Sequence, residues 1–301
     1  MTGNKTLIII LGPTAVGKTA LSIQVAKLFH TEIISADSRQ FFKEMNIGTA
    51  KPSPEEMQDI KHHFIDFLSI EEDYNAGAYE SAALTCLENI FRQKDTAILT
   101  GGSGLYINAV CNGFDELPET DEKVRADLIE KYRSYGIEAL QKQLKVLDPV
   151  YYDMADLNNS QRIIRALEVC LVSGRPYSNF RSGKQKPRNF NILKIGLERD
   201  RKELYQRIDE RVDEMIKSGL EKEARALLPY RDKNALQTVG YKELFDYFEG
   251  KHDLQKAIEL IKQNTRRFAK RQLTWFRKDK KIHWFHPDEK KAIIDWIKNN
   301  V

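Results

Sequence analysis

The chain has 301 residues, of which 41% are hydrophobic and 31% charged, with a formal net charge of +4. That balance suits a globular protein with a real core, in one large or two ordinary domains, and excludes a disordered polyelectrolyte. No apolar run approaches the ~20 residues a membrane helix needs, and Cys86, Cys111 and Cys170 lack metal or disulfide spacing, so a reduced cytoplasmic protein with no membrane partner is expected.

The first predicted element is a strand over Leu7–Leu11, which opens directly into Gly12-Pro13-Thr14-Ala15-Val16-Gly17-Lys18-Thr19. This is G-x-x-x-x-G-K-[ST], and a helical pattern through Ala20, Leu21, Ile23, Val25, Ala26, Leu28 and Phe29 follows it. Strand, glycine-rich loop and helix together are what a phosphate cradle requires. Backbone N–H groups converge on the anion, the helix N-terminus adds its dipole, Lys18 adds a point charge, and the Thr19 hydroxyl can ligate Mg²⁺. The alternative is a glycine-rich turn with an incidental lysine.

A short strand from Glu32 to Asp37 ends in a carboxylate, and His63–Phe67 is a further candidate strand. His62 and His63 would face opposite ways in a strand, so they make a poor metal pair, and one buried and one exposed ring is expected. Gly77–Gln93 predicts a helix and Thr96–Thr100 a strand. The turn Gly101-Gly102-Ser103-Gly104 and a helix over Leu105–Val110 come next.

From Leu117 the pattern changes to polar amphipathic helices over Lys123–Tyr135, Ile137–Leu147 and Gln161–Ser173. A loop over 175–188 with five bases and no acid ends this stretch. Ile192–Leu197 restores a strand. A helix over 201–217 carries Leu204, Ile208, Val212, Met215 and Ile216 on one stripe. A long basic helix over Asp253–Arg277, a strand over Ile282–Phe285 and a terminal helix close the chain. The expected fold is therefore α/β. A P-loop NTPase-like parallel sheet with helices on both faces is built from residues 1–116 and 190–301, with a helical C-terminal region, and residues 117–189 form a helical insertion.

Residues 262–281 hold nine Lys or Arg against one acid, Asp279. Alone, this stretch or the basic loop reads as an ordinary solvated face. Together, in a chain with a phosphate loop, they favour RNA or DNA. In open parallel sheets ligands bind beyond the carboxyl ends of the strands, which places the P-loop, Asp37 and Ser103 around one crevice. Two chemistries fit those parts. In a small-molecule kinase, Asp37 accepts a hydroxyl proton and ATP is the donor. In the other, diphosphate is the leaving group, its developing charge is met by loop amides, Lys18 and Mg²⁺, and Asp37 deprotonates the nucleophile.

Further motifs separate these readings. Asp37-Ser38-Arg39-Gln40, Ile47-Gly48-Thr49-Ala50-Lys51-Pro52, Gly101-Gly102-Ser103-Gly104-Leu105-Tyr106, Gln161-Arg162-Ile163-Ile164-Arg165-Ala166-Leu167-Glu168 and Lys270-Arg271-Gln272-Leu273-Thr274-Trp275-Phe276-Arg277 occur in that order. With the P-loop they closely resemble the tRNA dimethylallyltransferase (tRNA isopentenyltransferase) family over nearly the whole chain. No Cys/His pair follows Trp284, so the compact bacterial form is the one resembled.

The resemblance implies transfer of a dimethylallyl group from dimethylallyl diphosphate to N6 of the adenosine 3′-adjacent to the anticodon in tRNA. The products are N6-dimethylallyladenosine and diphosphate. It implies Mg²⁺ as cofactor, the tRNA anticodon stem-loop as partner, a tRNA-binding role for residues 117–189, and a monomer. It implies Asp37 as general base, Gly12–Thr19 as the diphosphate loop with Lys18 and Thr19 most directly engaged, Ser103 near the reacting centre, and Arg211 reaching the diphosphate. RNA contacts are implied for Asp37, Ser38, Arg39, Gln40, Ser103, Arg125, Gln161, Arg162, Ile163, Ile164, Arg165, Lys270, Arg271 and Arg277.

Read without the resemblance, the alternative for Asp37 is a helix cap or a place in the outer shell of Mg²⁺, and that for Arg211 is pairing with acids on its own helix. Trp275 reads as core. A P-loop kinase and a non-catalytic P-loop RNA-binding protein are the rival readings, and ATP could occupy the loop weakly in any of them.

Overall fold

In the computed structural model, which describes residues 5–115, 117–119, 121–183 and 185–301, the six strands are β1 (Thr6–Leu11), β2 (Ile33–Ser35), β3 (His62–His63), β4 (Thr96–Gly101), β5 (Asn191–Leu197) and β6 (His283–Phe285). All pair in parallel, in the order β3-β2-β4-β1-β5-β6. β1 is buried along its whole length, as a continuous aliphatic run must be when helices cover both faces of a parallel sheet. Its alternation divides the core. Leu7, Ile9 and Leu11 pack on one side, and Ile8 and Ile10 on the other. Each such side chain contributes roughly 1.5–3 kcal/mol on burial, so this strand alone anchors both layers.

The helices are α1 (Lys18–Leu28), α2 (Pro54–Met57), α3 (Ala76–Phe91), α4 (Gly104–Asn112), α5 (Glu122–Leu147), α6 (Pro149–Met154), α7 (Ser160–Ser173), α8 (Arg201–Lys217), α9 (Leu220–Leu227), α10 (Tyr241–Phe248), α11 (Leu254–Phe276) and α12 (Lys290–Asn300). Side chains of α3, α4, α9 and α10 join the cluster of Leu7, Ile9 and Leu11, those of α1 and α12 join the cluster of Ile8 and Ile10, and α8 and α11 contribute to both. Local chemistry sets their starts. The Asp200 carboxylate accepts from Lys202 N at 2.8 Å to open α8, and Asp253 accepts from Lys256 N at 2.7 Å to open α11.

Two compact units result. One comprises residues up to Asn112 together with Pro187–Val301, and the other is Gly113–Lys186. The second starts and ends slightly earlier than the 117–189 read from the sequence. Arg188 explains the later boundary: it donates to Val110 O and Ala109 O and pairs with Glu80 at 2.9 Å, which ties it to the sheet unit. That pairing also removes Arg188 from the basic loop. Lys184, another of the loop's five bases, and Glu116, the last core residue on the sequence reading, lie outside the described residues. The second unit packs α5 against α7 around Leu128, Leu140, Ile163 and Leu167.

Several elements differ from expectation. The strand over 63–67 shrinks to two residues because Phe64 (φ 62°) and Asp66 (φ 55°) are left-handed. Both His62 and His63 are half-buried rather than one in and one out. His63 Nε2 meets Glu32 Oε2 at 2.6 Å and His62 Nδ1 meets Ile60 O at 2.7 Å. The two helices expected over 123–135 and 137–147 are both present: Gly136 (φ 73°, ψ −178°) is non-helical and divides α5 where the sequence reading did. The short α6, opened by Asp148 and Pro149, has too few residues to show a period in the sequence. Among the described residues no helix is long and apolar enough to cross a membrane.

Candidate active site

The P-loop takes its shape from glycine. Gly12 has φ 150°, and a Cβ there would lie 2.6 Å from Leu197 O, so only glycine lets the loop leave β1 beside β5. Gly17 (φ 112°) precedes α1 with no side-chain cap, leaving the first helical amides for an anion. The outward carbonyls are held from behind. Arg207 Nε donates to Ala15 O at 3.0 Å and Arg199 Nε to Val16 O at 3.1 Å. Lys18 Nζ donates to Gly12 O at 3.1 Å and Pro13 O at 2.8 Å, and Arg211 Nη1 lies 3.5 Å from Thr14 Oγ1.

The opposite wall is the turn after β2. Tyr79 Oη donates to Ser35 O at 2.8 Å, and Phe41 stacks on Tyr79 at 5.4 Å, so the turn sits on a packed aromatic base. Ala36 N donates to Thr100 O at 2.7 Å. Asp37 Oδ1 accepts from Arg39 N at 3.1 Å, capping this turn, and no helix starts there. The turn after β4 closes on it: Ser103 Oγ accepts from Ser38 N and meets Ser38 Oγ, both at 3.2 Å. Gly101 permits that approach, since a Cβ would lie 2.4 Å from Ala36 O.

Both walls line one cavity of about 1410 Å³. Thr14, Ala15, Lys18 and Thr19 face it from the P-loop, Asp37, Ser38 and Ser103 from the opposing turns, Arg207 and Arg211 from α8, and Phe268, Arg271, Gln272 and Trp275 from α11. Burial pulls the Lys18 ammonium down to about 8. The Arg211 charge pulls the same way and Asp37 opposes both. Burial pushes the Asp37 carboxyl up, against the Arg39 amide and the Lys18 charge. Burial, followed by the Arg207 charge, lowers Arg211. The result is a cationic cradle facing a carboxylate more basic than usual. The Thr19 hydroxyl is exposed and makes no hydrogen bond among the described residues, which fits a hard-cation ligand.

Apart from Asp37, Ser38 and Ser103 on the cavity wall, the residues expected to meet RNA divide into three sets. Gln161, Arg162, Lys270 and Arg271 are exposed, and among the described residues Lys270 and Arg271 have no carboxylate partner. A second set is committed elsewhere. Arg39 Nη1 donates to Asn234 O at 2.8 Å and Ala235 O at 3.0 Å, and Gln40 Nε2 donates to Thr49 O and Ala50 O, so both brace loops. Arg125 and Arg165 both reach the buried Glu168, at 3.4 and 3.0 Å, and Arg277 pairs with Glu198 at 3.0 Å. The third set is corrected outright. Ile163 and Ile164 are 0% and 3% exposed, because the helix turns them into the core of their unit and away from the face of Gln161 and Arg162.

Trp275 is a correction in the other direction. It is 41% exposed at the cavity wall, against Gly104, because the buried stripe of α11 runs through Ala269, Gln272 and Phe276 instead. Of the nine bases over 262–281, Lys262 pairs with Asp213 at 2.6 Å and Arg266 with Asp209. Sequence reasoning also missed Glu223. Its carboxylate accepts from Asn46 N, Ile47 N and Gly48 N at 2.8–3.0 Å and from Tyr241 Oη at 2.7 Å, which fixes the loop over 46–51. The only signal in the sequence was the glycine in that loop, Gly48, where a Cβ would strike the Tyr241 ring at 2.6 Å.

The IPP transferase family model matches residues 40–279. A tRNA dimethylallyltransferase of Christiangramia forsetii is 54% identical over 98% of this chain and 98% of its own length. Among solved structures, the full-length tRNA isopentenylpyrophosphate transferase of Bacillus halodurans is 38% identical, with a TM-score of 0.72 over 98% of this chain and 96% of that one. A eukaryotic dimethylallyltransferase acting on tRNA superposes with a TM-score of 0.83 at 27% identity, over 99% of this chain and 80% of that one.

Proposed function

The chain belongs to the IPP transferase family, and from that premise we propose that it is a tRNA dimethylallyltransferase. It transfers the dimethylallyl group of dimethylallyl diphosphate to N6 of the adenosine 3′-adjacent to the anticodon. One observation carries the reading: a single cavity faces the P-loop and its half-buried Lys18 on one side and the half-buried Asp37 and Ser103 on the other.

The donor's diphosphate occupies the P-loop, where amides, Lys18 and Arg211 meet its charge. The C–O bond to diphosphate breaks and its electron pair leaves with the diphosphate. The adenine N6 lone pair forms the new C–N bond, and the N6 proton passes to Asp37. The raised pKa of Asp37 suits it to this work, since a carboxylate at its ordinary pKa is a weaker base. Lys18 exchanges its carbonyl partners for the anion, which restores its preference for the charged form. The Thr19 hydroxyl would hold Mg²⁺, which would offset further negative charge on the diphosphate. Ser38 and Ser103 flank the base, and an adenine extruded from an anticodon loop is read on its edges. Exposed Lys270 and Arg271 meet phosphates, and Gln161 and Arg162 give the 113–186 unit its share of the tRNA. The acting unit is a monomer.

The test is transfer of label from radiolabelled dimethylallyl diphosphate into acid-precipitable tRNA, with Mg²⁺, beside a tube in which ATP is the only donor. Label from the prenyl donor without ATP supports the reading. ATP turnover on a small metabolite with no label in RNA replaces it with the kinase.

A further inference from the structure

Gln272 is a polar side chain on the buried stripe of α11, between Ala269 and Phe276, and is 7% exposed. A buried primary amide is costly unless bonded, and this one is bonded at both ends. Its Oε1 accepts from Thr14 N in the P-loop at 2.9 Å, and its Nε2 donates to Gly102 O in the turn after β4, also at 2.9 Å. Gly102 packs so closely that a Cβ there would lie 2.3 Å from that Nε2. The pairing of β1 with β4 ends at Leu11 and Gly101, so the ladder no longer holds the two loops together beyond that point.

From Gly102 the connection continues: Ser103 N donates to Ala36 O at 3.3 Å, and Ser103 Oγ accepts from Ser38 N. We infer that Gln272 is a positioning residue. It clamps the diphosphate loop to the turn that carries Ser103 and orients Asp37, and so fixes the separation of the leaving group from the nucleophile. With both ends of its amide bonded to the two loops, it acts through them rather than on the reacting atoms. The inference rests on the transferase reading of the site.

Two variants break the same bond from opposite sides: Gln272→Met, which keeps the shape and loses both bonds, and Gly102→Ala, whose methyl displaces the amide. Each is expected to slow single-turnover transfer by about a hundredfold, as a small misplacement of reacting atoms does. Dissociation constants for pyrophosphate and for tRNA are expected to change by less than about threefold, because no ground-state contact is removed. The double variant is expected to be no slower than the slower single one.

Additive losses, losses that follow weakened binding of either substrate, or wild-type rates would overturn the inference. Should the unaltered protein transfer nothing, the transferase reading fails in that tube, and the clamp is then read by hydrogen exchange at the Thr14 amide. Exchange accelerated by Gln272→Met sustains the clamp, and equal exchange removes it.

Discussion

Replacing Asp37 by Asn tests the chemistry with little structural disturbance. The Asn side-chain oxygen can still accept the Arg39 amide that Asp37 Oδ1 accepts at 3.1 Å, so the turn survives and only the charge and basicity go. Loss of a positioned general base costs about 10²- to 10⁴-fold, equivalent to ~2.7–5.4 kcal/mol of barrier. Pyrophosphate affinity should hold or rise, since Asp37 is the negative charge beside the cationic cradle. The assay is single-turnover transfer with saturating donor, alongside direct binding of pyrophosphate and tRNA. In the unaltered protein the rate should also fall at acid pH, through a midpoint above the usual 3.8 of an aspartate, because burial raises this carboxyl and its protonated form accepts nothing. A rate loss below about tenfold, or one that parallels weaker tRNA binding, would refute Asp37 as the base.

Lys18 keeps its proton only to about pH 8 in the free protein, whereas bound diphosphate favours the charged form. Pyrophosphate affinity should therefore fall above pH 8, by up to about tenfold per unit, and Lys18→Met should bind weakly at every pH without that fall; identical pH profiles would assign it to another group. Gly12→Ala forces a methyl to 2.6 Å from Leu197 O in a backbone region that disfavours side chains. A cost of about 2–4 kcal/mol and a melting temperature lower by about 5–15 °C should follow, and an unchanged melt would show that β5 yields. Neutralising Lys270 and Arg271 together should weaken tRNA binding and reduce the slope of log affinity against log salt by about 1–2; an unchanged slope would make them a solvated face.

What the sequence revealed depended on how local the cause was. The aliphatic run of β1, the glycines of the P-loop and the stripe on α8 are set by neighbours in sequence, and all three were legible. Asp37 could be placed because a strand end is also a local feature. The partners of individual side chains were not legible. Arg39 is spent on carbonyls nearly two hundred residues away, and Arg125 shares the buried Glu168 with Arg165. Trp275 was misjudged because one helical position decides between core and cavity wall, and the long basic helix offered two adjacent stripes. Gln272 stood in a recognised motif, but its bridge between two loops exists only once α11 packs under them.

The most direct test is to label an unmodified tRNA with radiolabelled dimethylallyl diphosphate, digest it, and locate the label. The account predicts label in N6-dimethylallyladenosine, confined to the fragment bearing the nucleotide 3′ of the anticodon, and none when that adenosine is replaced by guanosine. Label on another nucleotide, or label that survives the replacement, would contradict it.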